Sequence, residues 1–345
     1  MQPTDERFIK RTLDLALRGL GKVRPNPLVG CVIVKDDTII GEGWHQVFGG
    51  PHAEVNAVKS VNKKELLKGS TVYINLEPCS FHGKTPPCAH MLADLEIGRV
   101  VISNIDPNPK VNGSGLELLR QRGIEVITDA LKDDGWELNK RFFTYYEKKR
   151  PYIILKWAQT ADGFIARENY DSKWISNEFS RKMVHKWRGE EHAILIGRNT
   201  AHHDNPSLTT RDWHGSNPVR VVIDNQLILD PKLALFDRST PTICYNNIKS
   251  EELENLSFVI PGGDEFPESV LNDLYQRNIQ SVLIEGGSRL LQSFIDKGIW
   301  DEARVFTSDK VFGKGIKAPG LKGIPADRKE FRNDVLTLYT PFSNG

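Results

Sequence analysis

Residues 51–61, PHAEVNAVKSV, and residues 77–90, EPCSFHGKTPPCAH, decide how the first part of this chain is read. They hold His52, with Glu54 two residues on, then Cys79 behind Pro78, and finally Cys88. Imidazole and thiolate are good zinc ligands, and a three-ligand set leaves a fourth position for a water whose pKa the metal lowers toward neutrality. A carboxylate is then needed to carry protons without occupying the metal, and Glu54 is placed to do so. Inside a helix, residues two apart point to different sides, but at a helix start the metal can sit off the end. Pro51 suits the first turn of a helix through residues 51–61. In TPPCAHMLADLE, Thr85 reads as an N-cap and Pro86 as a first helical residue, which puts Cys88 in the first turn, where the positive helix end favours a thiolate. The competing reading is a purely structural zinc site with four protein ligands, completed by His82 or His90.

Around these stretches the pattern alternates. Phe8, Leu13, Leu15, Leu17 and Leu20 fall in one helical stretch ending near Gly21. LVGCVIVKD is a short apolar run rich in β-branched residues, a buried strand with TIIGEGW as its hairpin partner and Asp36 and Asp37 at the turn. TVYINLE and RVVISN read as strands, GSGLELLRQRGIEVITDAL as helix, glycine stop and strand, and WELNKRFFTYYEKKRPY as a helical stretch. The boundary falls at about residue 147, with Lys148, Lys149 and Arg150 as a solvated linker. Beyond it YIILKWA, HAILIG, VRVVID, PTICYN, SVLIEGG and EARVFTSD read as strands, with SRLLQSFIDKG as a helix between the last two; this is an α/β domain around one sheet.

The chain has 345 residues, enough for two domains, and 26% of them are charged. Lys+Arg is 46 against Asp+Glu 45, so it lacks the basic surplus of a chain that wraps nucleic-acid phosphates. No apolar run reaches the ~18 residues of a membrane span, and the acidic, amphipathic start is unlike a secretory signal. Cys31, Cys79, Cys88 and Cys244 are too few for a disulfide scaffold. The expectation is a cytoplasmic protein.

The H-x-E … P-C … C arrangement is the zinc-deaminase signature, in which the glutamate is the acid/base, with eight residues, SFHGKTPP, between the cysteines in place of two. NPLVGCVIV, HAEVNA and EPCSFHGKTPPCA together resemble the deaminase half of bacterial bifunctional riboflavin-biosynthesis enzymes of the RibD (RibG) type. The resemblance implies a cytidine-deaminase-like α/β fold. It also implies hydrolytic loss of the 2-amino group of a diaminopyrimidinone carrying a ribosylamino 5′-phosphate. It places Asn26, His45, Glu54, His82 and Lys84 at the substrate, with Asn26 on the pyrimidine and Lys84 on the phosphate as a point charge. Phe81 stands where many relatives carry a histidine, beside His82.

In the second half, SVLIEGGSRLL reads as strand, Gly-Gly turn and helix, which allows close backbone approach and a phosphate at the helix start. It is not a G-x-G-x-x-G fingerprint, so a Rossmann fold is not supported. KWAQTADGFIA, SKWIS, ILIGRNTAHHDNPSLTTR and EGGSRLL resemble the reductase half of the same enzymes. That half has a dihydrofolate-reductase-like fold and uses NADPH to reduce the ribosyl group to ribityl. By this resemblance Ala158, Trp174, Thr200 and Asp204 contact the cofactor. Gly287, Ser288, Arg289, Leu290, Leu291, Gln292 and Ser293 cradle its phosphates. Ser172, Arg188, Leu208, Arg211 and Glu285 hold the substrate, and Lys156 also reaches the site. Two arginines suit a phosphate, because guanidinium binds it bidentately. The expected domains are a zinc-dependent pyrimidine deaminase over 1–147 and an NADPH-dependent reductase over 148–345, and the resemblance implies a homo-oligomer. Two other readings remain. One is a zinc deaminase of nucleosides or nucleic acid with a non-catalytic second domain; the other is a zinc-stabilised binding protein. Residues 320–340, GLKGIPADRKEFRNDVLTLYT, carry no readable motif.

Overall fold

The computed structural model describes residues 3–81, 87–173, 175–263 and 265–342. They form two compact units that divide between Lys148 and Lys149.

The first unit runs α1 (Pro3–Leu17), β1 (Gly30–Lys35), β2 (Thr38–Trp44), α2 (Ala53–Ser60), β3 (Thr71–Leu76), α3 (Cys88–Asp94), β4 (Arg99–Asn104), α4 (Ser114–Gln121), β5 (Glu125–Ile127), α5 (Lys132–Leu138) and α6 (Lys140–Lys148). Its five strands lie in the order β2-β1-β3-β4-β5. β1 pairs antiparallel with β2 and β3, while β3, β4 and β5 run parallel. Successive strand side chains point to opposite faces, and here each face has its own core. Cys31, Ile33, Val72, Ile74, Val100 and Ile102 pack under α2, α3 and α4. Val32, Val34, Tyr73 and Val101 pack against Phe8, Ile9 and Leu15 of α1. A buried Asp5 ties α1 to the sheet, accepting from Tyr73 Oη at 2.9 Å and from both Arg99 terminal nitrogens at 2.8 and 3.0 Å.

The β1–β2 turn is the one read from Asp36 and Asp37: both have positive φ, 49° and 57°, as a two-residue hairpin turn requires. Three local expectations are corrected. Pro51 lies before the helix, because His52 is extended (φ −69°, ψ 164°) and acts as the N-cap residue of α2. The first helix ends at Leu17, and residues 18–20 continue only as tight turns. The stretch from Trp136 breaks at Asn139, whose side chain bonds both the N–H and the carbonyl of Leu28, each at 2.8 Å. Thr85 and Pro86 lie outside the described residues; α3 begins at Cys88 with Pro87 at its N-cap.

The second unit runs β6 (Tyr152–Gln159), β7 (Phe164–Ala166), α7 (Glu178–Glu190), β8 (Ala193–Gly197), α8 (Arg198–Asp204), β9 (Val219–Ile223), β10 (Thr242–Tyr245), β11 (Glu251–Leu253), β12 (Leu256–Val259), α9 (Glu268–Gln276), β13 (Ser281–Glu285), α10 (Ser288–Asp296), β14 (Glu302–Ser308), β15 (Ile316–Lys317), β16 (Ile324–Phe331) and β17 (Asp334–Thr340). Ten strands make one sheet, β11-β12-β10-β9-β8-β13-β6-β14-β17-β16. From β12 to β14 all neighbours are parallel, and antiparallel strands close both edges. Ile153, Leu155 and Ile284 face α9 and α10, and Tyr152 and Ile154 face α7. The C-terminal stretch without a motif is the β16–β17 hairpin on one edge. Arg150, expected in a solvated linker, instead forms a two-point ion pair with Asp301 at 2.6 and 2.8 Å.

Candidate functional site

In the first unit the loop after β3 and the starts of α2 and α3 meet. Cys79 Sγ lies 3.5 Å and Cys88 Sγ 3.4 Å from His52 Nδ1, and the three ligand atoms all lie within 4.8 Å of one another. A tetrahedral zinc with Zn–S near 2.3 Å holds its sulfurs about 3.8 Å apart, so one imidazole and two thiols at this spacing fit the ion. The N–H of Cys88 donates to Cys79 Sγ at 3.4 Å. The thiol of Cys88 and the His52 ring hold Cys79 low, at about 4, while Cys88 itself is pushed well up by its bond to Cys79 and by burial. His52 is raised to about 8 by its contact with Cys79.

Glu54 is 3% exposed. Burial, with the Cys79 thiolate beside it, pushes its carboxyl up to about 7, the range in which a group takes and returns protons near neutrality. The helix that carries it is held by contact of main chains. A Cβ on Gly43 of β2 would lie 2.3 Å from Ala57 N and 2.5 Å from Ala53 O, and one on Gly41 would lie 2.7 Å from Ala57 O.

Two of the expected substrate residues come to the same place. The His45 and His52 rings are 5.7 Å apart, edge to face. His45 Nδ1 donates to Pro51 O at 3.0 Å, so Nε2 is free to accept from Asn26 Nδ2, also at 3.0 Å. Burial lowers the His45 pKa, which favours this neutral form. His82 and Lys84 lie outside the described residues, and Phe81 is exposed. Sequence reading passed over the residues that hold these loops. Asn75 accepts from Gly30 N at 2.7 Å and donates to Leu28 O at 2.9 Å, doubling the grip of Asn139 on the segment after Asn26. The only sequence signal for Asn75 is a polar residue at an otherwise apolar strand position.

In the second unit a cavity of about 1400 Å³ opens at the carboxyl ends of β6, β8, β9, β10 and β13, where parallel α/β sheets bind ligands. Ordinary small-molecule sites measure ~300–1000 Å³, so there is room for a dinucleotide together with a second ligand. Lys156, Ala158, Ser172, Arg188, Thr200, Asp204, Leu208, Arg211, Glu285, Gly287, Ser288, Arg289, Leu290 and Ser293 all line it. Trp174 lies outside the described residues. Gly286 and Gly287 have φ of 112° and 78°, and a Cβ on Gly286 would sit 3.3 Å from Thr200 Oγ1. The backbone is therefore bare where the α10 start faces the cavity, as close approach of a cofactor needs. Leu291 and Gln292 do not line it. At 100° per residue the helix turns them away: Leu291 is fully buried in the core, and Gln292 Oε1 accepts from Gly320 N at 2.8 Å.

The cavity floor is ionic. Glu285 takes two bonds from Arg188, Nε and Nη2 at 2.9 Å each, and lies 3.6 Å from Lys156 Nζ. Burial pushes Glu285 up, but Arg188 and Lys156 outweigh it and hold it at about 2. Burial lowers Lys156. Arg188 was expected to grip a phosphate with its fork, yet the fork is occupied by Glu285 and its remaining terminal nitrogen donates to Thr209 O at 3.3 Å. Ser172 Oγ donates to Asp204 Oδ1 at 3.3 Å. Asn225, Tyr245, Asn246, Asn247 and Phe266 also line the cavity and went unread in the sequence; their one signal is the polar pair after each of two apolar strands, Asp224-Asn225 after β9 and Asn246-Asn247 after β10.

Comparison with known proteins separates the same two parts. Residues 2–104 match the family described as "Cytidine and deoxycytidylate deaminase zinc-binding region", and residues 151–338 match the RibD C-terminal domain. A riboflavin biosynthesis protein RibD of Aquifex aeolicus is 39% identical, covering 97% of this chain and 96% of that one. The chain belongs to the RibD family. The Escherichia coli RibD is 35% identical over 95% of each chain. A crystal structure from Thermotoga maritima, of a diaminohydroxyphosphoribosylaminopyrimidine deaminase/5-amino-6-(5-phosphoribosylamino)uracil reductase, superposes with a TM-score of 0.90 at 40% identity, over 98% of this chain and 99% of that one. An Acinetobacter baumannii RibD structure gives 0.89 at 31% identity, over 99% of each. As a RibD protein the chain is a bifunctional deaminase and reductase of riboflavin biosynthesis, with a cytidine-deaminase-like and a dihydrofolate-reductase-like fold, and its cofactors are zinc and NADPH. Among the described residues no helix is long and apolar enough to cross a membrane.

Proposed function

We propose that residues 1–147 remove the 2-amino group of 2,5-diamino-6-ribosylamino-4(3H)-pyrimidinone 5′-phosphate. Residues 148–345 then reduce the ribosyl group, giving 5-amino-6-ribitylaminouracil 5′-phosphate. The observation that carries the first step is the convergence of His52, Cys79 and Cys88 beside the buried Glu54. Zinc, held by those three side chains, supplies an activated water. Glu54 takes a proton from the attacking water and returns it to the departing amine, so water enters and ammonia leaves. Asn26 hydrogen-bonds the pyrimidine, His45 and His82 belong to the substrate site, and Lys84 pairs with the phosphate as a point charge.

For the second step NADPH supplies the hydride. Reduction of the ribosyl group would form a C1′–H bond and break the bond from C1′ to the ring oxygen, which would take a proton from solvent, so that the sugar opens. Ala158, Trp174, Thr200 and Asp204 orient the cofactor, and the turn from Gly287 through Leu290, with Ser293, lies along its phosphates. Ser172, Leu208 and Arg211 hold the substrate above the Lys156, Arg188 and Glu285 floor. The floor carries one more positive than negative group, which suits a phosphate even with the Arg188 fork occupied. The protein acts as a soluble homo-oligomer in the cytoplasm.

The test is product identification. Purified protein is incubated with the diaminopyrimidinone phosphate, with and without NADPH, and products are resolved by mass. Without NADPH the deaminated ribosyl compound accumulates; with it the ribityl compound forms. An unchanged substrate mass without NADPH, or a reduced product that keeps the 2-amino group when NADPH is present, would overturn the assignment.

A further inference from the structure

Glu77 stands two residues before the first thiolate ligand and is 4% exposed. Its carboxylate makes no contact with the ligand atoms. Oε2 accepts from Gly113 N at 2.9 Å and from Asp106 N at 3.2 Å, and Oε1 accepts from Gly115 N at 3.0 Å. Three backbone N–H groups, from the loop after β4 and from the start of α4, thus converge on one buried carboxylate. A negative group there also complements the positive end of α4. The next residue, Pro78, touches the same helix start: a Cβ on Gly115 would fall 2.1 Å from Pro78 O. After the ligand, Ser80 Oγ lies 2.5 Å from Ser114 Oγ. The Glu77–Ser80 turn is therefore fastened to α4 on both sides of Cys79, while among the described residues the hydrogen bonds from α3 reach it at Cys79 itself, from the N–H groups of Cys88 and Ala89.

We propose that Glu77 is a positioning residue for the zinc ligand Cys79: its carboxylate, seconded by the Ser80 hydroxyl, anchors the Pro78–Cys79 turn on α4 and so sets the metal affinity and geometry of the site. His52 and Cys88 sit on the starts of α2 and α3 and do not depend on this anchor. Cys79 is in a loop and has no helix of its own. Removing the anchor should leave two ligands in place and loosen the third. Glutamine cannot replace the carboxylate, since it has one acceptor oxygen and turns an NH₂ donor toward a backbone N–H.

The inference rests on the zinc reading, and the experiment separates the two. The full chain is prepared metal-free, and zinc affinity is measured by competition with a chromophoric chelator, for wild type, Glu77→Gln, Ser80→Ala and Asp5→Asn. Each is also loaded with cobalt(II), and its ligand-field and thiolate charge-transfer bands are recorded. Asp5→Asn is the control for general destabilisation, because it breaks the α1 anchor on the opposite face of the same sheet. Loss of a group that orients a ligand typically weakens metal binding ~10–100-fold. Glu77→Gln should fall in that range and shift the cobalt bands, Ser80→Ala should move both in the same direction by less, and Asp5→Asn should change neither. If wild type binds no zinc, the site reading itself fails. If wild type binds and Glu77→Gln matches it in affinity and spectrum, the anchoring role is wrong. Should Glu77→Gln not fold, Ser80→Ala decides: wild-type affinity and spectrum in that variant would overturn the proposal.

Discussion

Replacing Glu285 by alanine removes the only carboxylate that contacts both cations of the cavity floor among the described residues. Side chains there are nearly dry: Glu285 is 7%, Arg188 11% and Lys156 16% exposed. Taking one partner from a buried ion pair costs ~3–5 kcal/mol, because the other charge is left uncompensated. The titration of Glu285 gives a separate figure. A carboxylate held at about 2 instead of its ordinary value near 4.5 contributes about 3 kcal/mol. That contribution is fully present above the unfolded-chain value and is lost as pH falls toward 2. The two figures agree, so Glu285→Ala should lose about 3 kcal/mol or more at pH 7. Lys156, already lowered by burial, loses its counter-charge in the variant and is lowered further. Its unfolded form then binds more protons than its folded form between neutrality and the ordinary lysine range. The variant should therefore gain stability more steeply than wild type as pH rises from about 7 to 10. Urea denaturation followed by tryptophan fluorescence reads this at several pH values; Trp157 and Trp187 report on the second unit. NADPH oxidation should fall sharply while deamination continues. A cost under ~1 kcal/mol, of the size expected for an exposed pair, together with an unchanged pH dependence, would refute the view that the floor is a dry, ion-paired cluster.

Glu54→Gln keeps the shape and removes the proton carrier; zinc should remain bound while deamination drops ~10²–10⁴-fold, checked by metal analysis and initial rates. Cys79→Ser should abolish deamination yet still reduce deaminated substrate supplied to it, read as loss of NADPH absorbance. Asp204→Ala should do the converse and let the deaminated ribosyl intermediate accumulate, identified by mass. Gly43→Ala should push α2 off the sheet, since the added carbon would meet Ala57 N at 2.3 Å; zinc binding and deamination should both fall while reduction persists.

The central strands of both units were legible because each is a short, largely buried apolar run, often ending in glycine or a polar residue, whereas the exposed β11 and β16 and the two- and three-residue β15 and β7 carry no such run and went unread. The zinc set was legible for a different reason: His52, Cys79 and Cys88 are rare residue types at a recognisable spacing. What escaped depended on direction rather than type. Leu291 and Gln292 sit in the right stretch, but helix rotation turns them from the cavity. Arg188 sits in the right place, but nothing in its own neighbourhood says that Glu285, 97 residues on, occupies its fork. Pro51 could equally begin a helix or precede one. Glu77, Asn75 and Asn139 serve by bonding backbone groups remote in sequence, and such bonds leave no periodic trace.

The seat of α2 on β2 carries one more consequence. Where a helix rests on a sheet through leucines and valines, the spacing between them can be retuned by exchanging one side chain for another, and cores absorb such repacking readily. At Gly43 nothing separates the two main chains, since the atoms nearest an added carbon are all backbone atoms of α2, and a joint without rotamers has no adjustable setting. The position of Glu54 relative to the sheet is accordingly a property of backbone thickness. Core libraries built at Ile33, Val72 or Ile74 can vary the stability of this unit while leaving the metal-site spacing where it is, whereas no choice of neighbouring side chain can restore that spacing once Gly43 has gained a carbon.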